Sequence, residues 1–356
     1  MPAAVPLPAA TPRTASFSDL TVLIKQAGLL HRRRGAYAAI FAGNALLTAV
    51  VVAAFVVLGP SWWQLVTAVL LGLVSTQLAF VGHDAGHRQI FASRRANDVL
   101  GYVHGALVGM SYGSWVGQHN AHHAHPNHAD VDPDIDIPVL AFSVEQAATR
   151  RGVARWIVAH QAAMFVPLLL LEGWSLHLIA FQNACRGKVR RPGLEITLLV
   201  THVVAYGVAV FAVLTPLQGI VFVLVHQGIW GLTMGLVFAP NHKGMPIVPA
   251  GTELDHLEKQ VLTARNVRGG RLTDYLFGGL NHQIEHHLFP RMPRPSLRAA
   301  RALVRPFCLE HGLPYTETGV RSSYAQILRH LHETSAVLRT PARASGARVE
   351  AGTGPR

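Results

Sequence analysis

"LNHQIEHHLFP", residues 280–290, is the stretch on which the reading of this chain turns. Two parses are open. His282-Gln-Ile-Glu285-His286 matches H-x-x-E-H, an inverted form of the helical zinc-protease pattern. Gln283-Ile-Glu285-His286-His287 instead presents two adjacent imidazoles, as the closing member of a set of histidine clusters around a metal pair would. The choice depends on what the rest of the sequence supplies.

It supplies histidines. There are 21 of them among 356 residues, more than the 19 Asp and Glu together. Half of the chain is hydrophobic and only 14% is charged, well under the roughly 25% of soluble domains. That is the composition of a membrane protein. The net charge of +12 is carried mainly by arginines. These flank apolar runs, a pattern of membrane topology rather than of nucleic-acid binding. Cys185 and Cys308 are too few for a disulfide framework or a cysteine-ligated cluster. No secretory signal is read at the start, and the Pro/Ala-rich stretches 1–18 and 340–356 are expected to be disordered. The expected division is a disordered, basic N-terminal segment (1–34), a membrane body (35–315), a C-terminal helical segment (316–339) and a disordered tail (340–356).

Apolar runs lie at about 37–59 and 62–82, joined by "PS", and at about 194–214 and 217–238, joined by "TP". The first would span roughly 34 Å as a helix, enough for a bilayer core of about 30 Å. A further run, 157–181, is interrupted by Pro167, Glu172 and His177 and is basic at both ends, so it is expected to lie in the interface or to re-enter. The two tight loops carry no charge, whereas the arginine clusters at 31–35, 94–95, 150–155 and 186–191 all fall on the other side. The positive-inside rule then places both termini in the cytoplasm. The expected fold is an all-α integral membrane protein with four transmembrane helices as two hairpins, interfacial helices and a cytoplasmic cap.

On that map every histidine cluster emerges on one face. His83 and His87 ("HDAGH") end the second crossing, and His119, His122 and His123 ("HNAHH") follow it. His242 ("APNHKG") follows the fourth crossing, and His286 and His287 lie beyond. Residues i, i+3 and i+4 share a helix face, so each cluster aims its imidazoles at one point. Imidazole suits iron, zinc and copper. Eight ligands are too many for one ion and suit two. The protease parse uses only His282, Glu285 and His286, leaving the other clusters idle. A carboxylate-bridged metal pair would need two E-x-x-H motifs, and only Glu253-Leu-Asp-His256 is read. Asp84, Glu285, Asp132, Asp134 and Asp136 are suited to accept the outward N–H of ligand histidines close to the reacting centre. His104, His177, His202 and His226 read as hydrogen-bonded structural residues, His125 and His128 as supporting or surface ones. Residues 291–305 read as a basic amphipathic stretch on the membrane surface, and the glycines of 266–279 match no phosphate-binding loop.

In order and in layout, "HDAGH", "HNAHHAHPNHADVDPDI" and "NHQIEHHLFP" resemble the three histidine boxes of the membrane fatty acid desaturase family, over residues 35–315. "APNHKGMP" and "QIEHHLFP" are most similar to bacterial acyl-CoA or acyl-lipid desaturases, including the front-end subgroup. The resemblance implies iron ligands His83, His87, His119, His122, His123, His286 and His287, with His242 as the extra ligand after the last crossing. Gln283 stands where many members carry the first histidine of the third box, and His282 replaces the tyrosine of "NYQIEHH". Whether either approaches the metals stays open at this point. The implied activity is O2-dependent insertion of a cis double bond into a long-chain acyl-CoA or acyl-lipid at two non-haem irons. Electrons would come from a separate ferredoxin or cytochrome/flavin reductase, because His125-Pro126 is followed by Asn127 and no H-P-G-G haem motif is read. Competing readings are a lipid hydroxylase or ketolase on the same scaffold, the H-x-x-E-H zinc protease, and a metal transporter or sensor, which would need ligands within the crossings.

Overall fold

The computed structural model describes residues 16–339, and nearly all of their regular structure is helical. After a short helix α1 (Phe17–Gln26), α2 (Arg34–Leu58) and α3 (Gln64–Gly86) form the first hairpin. Its turn is closed by Gln64, whose side-chain amide donates to the carbonyls of Phe55 at 2.7 Å and Gly59 at 2.9 Å. Then follow α4 (Arg94–Val108), α5 (Tyr112–Ala124), α6 (Val144–Thr149), α7 (Gly152–Ala159) and α8 (Gln161–Cys185). The second hairpin is α9 (Pro192–Val213) and α10 (Pro216–His242). Its turn is built by Thr215 as a cap, with Pro216 opening α10 and Gln218 completing a capping box. The Gln218 amide also donates to Pro60 O at 3.1 Å, so the tips of the two hairpins lie together. Of the most apolar stretch of α2, and likewise of α9, only 11% is buried within the protein. Helices that apolar with so little buried need lipid around them.

Among the described residues, five helices are long and apolar enough to cross a membrane: α2, α3, α8, α9 and α10. The run 157–181 is not interrupted at Pro167, Glu172 or His177; its helix breaks instead at His160, between α7 and α8. α8 runs unbroken through Pro167, because its packing against α10 holds it. The two backbones meet at glycines: a Cβ on Gly231 would sit 2.4 Å from the Gly173 nitrogen. Small residues permit such close helix approach. Both ends of α8 are tied down. Gln161 exchanges hydrogen bonds with the Ala141 backbone at 2.9 Å and donates to Leu331 O, while Asn183 donates to the Ser114 hydroxyl at the head of α5 at 2.7 Å.

The remaining elements form a cap: α11 (His256–Leu262), β1 (Asn266–Arg268), α12 (Arg271–Leu276), α13 (Gln283–Leu288), α14 (Leu297–Glu310), β2 (Glu317–Gly319), α15 (Val320–Thr334) and α16 (Ala336–Arg339). The all-helical expectation therefore needs one correction. β1 and β2 pair in parallel, with Val267 opposite Thr318, because the extended chain after Arg265 finds in β2 the backbone partners it cannot find within itself. That pairing, and the packing of α15 on α8 and α10, join 316–339 to the rest of the body. Amphipathic α14 forms as read, yet its apolar face turns inward. Leu297, Ala300, Val304 and Phe307 pack with Leu20 and Ile24 of α1 and with Ile284 and Leu288 of α13, so this face is filled by protein rather than by lipid. Disorder is expected over 1–18, within the segment 1–34, and over 340–356, but Ser16 caps α1 and Phe17 and Ser18 begin it, because Ser16 and Asp19 form a capping box. α1 thus orders part of that segment, and the expectation for 1–15 and 340–356 lies outside the described residues.

Candidate metal centre

The last turn of α3 carries His83, and His87 caps it. Between them Gly86 matters for what it lacks: a Cβ there would lie 2.5 Å from the Trp115 ring. The bare glycine lets α5 press Trp115 against the first cluster, where it stacks on His119 at 4.5 Å. α5 itself begins at Ser111, whose hydroxyl accepts from Ser114 N at 3.1 Å and donates to Glu195. Glu195, on α9, also accepts from Gly113 N at 3.2 Å, an anion at a helix N-terminus. The end of α10 delivers His242 and the six-residue α13 delivers His286 and His287.

These elements bring the eight histidines together as two groups. Ring nitrogens of His83, His87, His119 and His286 lie within 4.8 Å of one another, and so do those of His122, His242 and His287. All seven are buried. His123 sits between the groups, its Nε2 3.1 Å from His119 Nε2 and its ring stacked 4.1 Å from that of His287. The groups abut rather than merge.

On the outside of the cluster, ring nitrogens are held by the protein. His122 Nδ1 donates to both Asp132 oxygens at 3.0 Å, His287 Nδ1 to Gln260 Oε1 at 2.8 Å and His242 Nδ1 to the Thr263 carbonyl at 3.0 Å. His83 Nδ1 lies 3.4 Å from Asp84, whose other oxygen pairs with Arg294 Nε at 2.9 Å. On the inside, His83 Nε2, His287 Nε2 and both nitrogens of His286 are buried with no hydrogen-bond partner. Orphaned buried nitrogens are costly and uncommon. Here they belong to an all-imidazole set in which His83, His122, His242 and His287 are oriented from outside, a donor arrangement that fits a pair of transition-metal ions. Burial holds His119, His123, His286 and His287 well below the ordinary imidazole range, so they are neutral and able to ligate. His122 differs: burial opposes its cation, but Asp134 and Asp132 outweigh that and raise it.

Beside the first group lies a small, partly open apolar pocket of about 30 Å³ between α3, α4, α10 and the head of α5. Phe80, Val108, Met110 and Met234 line it, and His83 and Trp115 form part of its wall. A greasy slot thus opens directly onto the metal-ligating imidazoles.

The sequence profile of the fatty acid desaturase family matches residues 60–319. The chain belongs to the fatty acid desaturase family. It is 32% identical over 308 residues to an acyl-lipid (9-3)-desaturase of Physcomitrium patens, covering 82% of this chain and 58% of that protein. It is 32% identical over 286 residues to a Delta(6)-fatty-acid desaturase of Caenorhabditis elegans, covering 76% and 64%. A Delta(8)-fatty-acid desaturase of Helianthus annuus is 29% identical over 297 residues, covering 77% and 63%. The chain spans about six tenths of the length of these relatives.

Within this desaturase-family site the two open positions of the third box separate. Gln283 places its Nε2 2.9 Å from His242 Nε2, at the second group. His282 lies just before α13 rather than on its metal-facing side, and its Nε2 meets Asp274 Oδ1 at 3.1 Å. His282 and His286 therefore do not share a point, and the H-x-x-E-H parse fails for that reason. Glu285 needs a correction too. Among the described residues its carboxylate accepts from Asn266 Nδ2 and the Tyr315 hydroxyl, both at 2.7 Å, and meets no histidine. Being fully buried it is raised from its ordinary range, and it braces β1 and the chain before β2 rather than a metal ligand. Asp84 and Asp132 do support ligands, Asp134 lies 3.5 Å from His122 Nδ1, and Asp136 is exposed. His125, His128 and His256 stand outside both groups, with His128 bonded to Thr252 O and His256 packed on Phe17. Trp115, Gln260, Thr263 and Arg294 carry no signal in the sequence that would have marked them.

Proposed function

We propose that this chain inserts a cis double bond into a long-chain fatty acyl group, using O2 and two electrons at a pair of irons held by the eight histidines. The observation that carries this reading is the pair of buried histidine groups, with apolar residues lining the pocket beside His83. His83, His87, His119 and His286 would hold one ion and His122, His242 and His287 the other, with His123 beside both. When bound, the irons supply the oxidising power that an unactivated methylene demands. The protein's part is placement. The apolar lining beside His83 would exclude water and, widened by the substrate, would receive an alkyl chain against the ligands, while Asp84, Asp132, Gln260 and Thr263 keep the imidazoles turned inward. Overall, two hydrogens leave adjacent carbons, and O2 takes these, two electrons and two protons to give two waters.

The relatives' names, Delta(5), Delta(6) and Delta(8) among them, favour a bond near the carboxyl end, on an acyl-lipid or acyl-CoA. A separate ferredoxin or cytochrome/flavin reductase would bring the electrons, steered by the basic cytoplasmic face. We place α2, α3, α9 and α10 across the membrane with both termini and the metal centre in the cytoplasm. α8 then lies along the cytoplasmic boundary, a placement supported by the ties of Gln161 to Leu331 of the cap and of Asn183 to Ser114 at the head of α5.

The test is a lipid profile. The chain is expressed with a ferredoxin and its reductase in a host without desaturases, and total fatty acids are analysed by mass spectrometry with double-bond localisation. A new unsaturated acid, missing with His286→Ala, is expected. A hydroxylated or oxo acid in its place would overturn desaturation.

A further inference from the structure

Arg265 is fully buried, and no carboxylate among the described residues pairs with it. A guanidinium withdrawn from water without a counter-ion is costly, so the destination of its donors is informative. Nε donates to Pro240 O at 2.8 Å, Nη2 to Lys243 O at 2.9 Å and Nη1 to Gln326 Oε1, while the Arg265 backbone N–H donates to Asn241 O at 2.8 Å. The three carbonyls belong to residues 240, 241 and 243. They bracket His242.

That turn of α10 cannot support itself. Carbonyls at a helix C-terminus lack intrahelical donors and form the negative end of the dipole, which favours a cation. Pro240 adds to the deficit: it has no N–H for the Leu236 carbonyl, which accepts from the Tyr324 hydroxyl of α15 instead. Two residues before Arg265, the Thr263 carbonyl takes His242 Nδ1 at 3.0 Å. The strap 263–265 therefore grips both the backbone and the ring of one histidine. Burial lowers Arg265 only to about 10, so it remains a cation at neutral pH.

We propose that Arg265 is a positioning residue for the second metal: by fixing the carbonyls on either side of His242 it keeps that imidazole with His122 and His287. The proposal rests on the reading that the two histidine groups hold metals. Arg265 touches neither metal nor substrate and acts through His242 alone. Lysine cannot replace it, because one ammonium cannot reach the Pro240 and Lys243 carbonyls and Gln326 with the geometry of a planar fork.

The experiment is graded chelation of the purified, monodisperse full chain in wild-type, Arg265→Lys and Arg265→Gln forms, with His242→Ala as the benchmark for a lost second ligand. Iron per folded chain and the thermal midpoint are both read. In Arg265→Lys one of the two irons should leave at roughly 10- to 100-fold lower chelator concentration, the usual cost of removing a group that orients a ligand, while the other stays. The milder lysine variant keeps the test informative should the glutamine variant not fold. Two irons as firmly held in Arg265→Lys as in wild type, with only a lower midpoint, would overturn the proposal. So would parallel loss of both irons. A wild-type chain without a metal pair would overturn the functional reading beneath it, and that is seen before any variant is compared.

Discussion

The side-chain amide of Gln283 bridges Asn241 and His242: its Oε1 accepts from Asn241 Nδ2 at 3.2 Å, and its Nε2 lies 2.9 Å from His242 Nε2. The outward nitrogen of His242 is already taken by Thr263, so the amide faces the nitrogen left for a metal. The second group has three histidines where the first has four, and Gln283 occupies the open flank. Replacing it by leucine keeps the volume and removes the polarity. Gln283→Leu should weaken the second metal and lower product yield by roughly 10- to 100-fold, read as iron per chain and as fatty-acid yield. Gln283→His, which returns an imidazole to that flank, should keep both metals.

Asp132 is a hub rather than a simple partner. Besides His122 it accepts from Asn127 N at 2.7 Å and Asp134 N at 2.9 Å. In Asp132→Asn the loss of charge, and an NH2 group facing His122 Nδ1, should cost a similar 10- to 100-fold in metal affinity. Asp132→Ala should in addition leave those two backbone donors unpaired. That costs about 1–3 kcal/mol each where no water can replace the carboxylate, measurable as a lower denaturant midpoint.

Ala79 lines the cavity close to His83 without touching a metal-ligating ring nitrogen. Ala79→Phe should fill the slot. Product from long acyl chains should drop sharply while iron per chain stays at the wild-type value, the reverse of what His286→Ala should do to iron. Equal product from both proteins would show that the acyl chain lies elsewhere.

Asp274 gives a pH signature. Partial burial pushes its carboxyl up, but donors from His282, Arg298 and Asn281 outweigh that and hold it below the carboxylate range. A depressed folded pKa means stabilisation that is complete above the unfolded value near 4 and lost as pH falls through it toward the folded value. Because the group is only partly buried and solvent screens its charge, the effect should be no more than about 1 kcal/mol. Thermal midpoints between pH 6 and pH 3 should fall more steeply in wild type than in Asp274→Asn.

The histidines were legible because helix spacing is local: i, i+3 and i+4 on the ends of apolar runs suffice to gather them. Their sorting into two groups was not. His286 and His287 are neighbours in α13, yet a step of about 100° per residue turns one to each group. The supports were hidden for another reason. Arg294 reaches Asp84 through folding of the cap onto the crossings, and Gln260 reaches His287 through packing within the cap, and no periodicity links residues so far apart in the chain. In the same way the amphipathic pattern of 297–310 revealed an apolar face but not its partner, which is α1. The flanks of 157–181 were read correctly as basic, whereas the length of α8 past Pro167 and its packing, where Gly173 meets Gly231, involve a contact between two helices.

The most direct measurement is the metal content of the purified full chain, by inductively coupled plasma mass spectrometry, in wild type and in His242→Ala. A pair of irons per folded chain in wild type, with one lost in His242→Ala and the other kept, is the expected result. A single zinc, or a single iron that His242→Ala leaves in place, would contradict a two-metal centre built from these eight histidines.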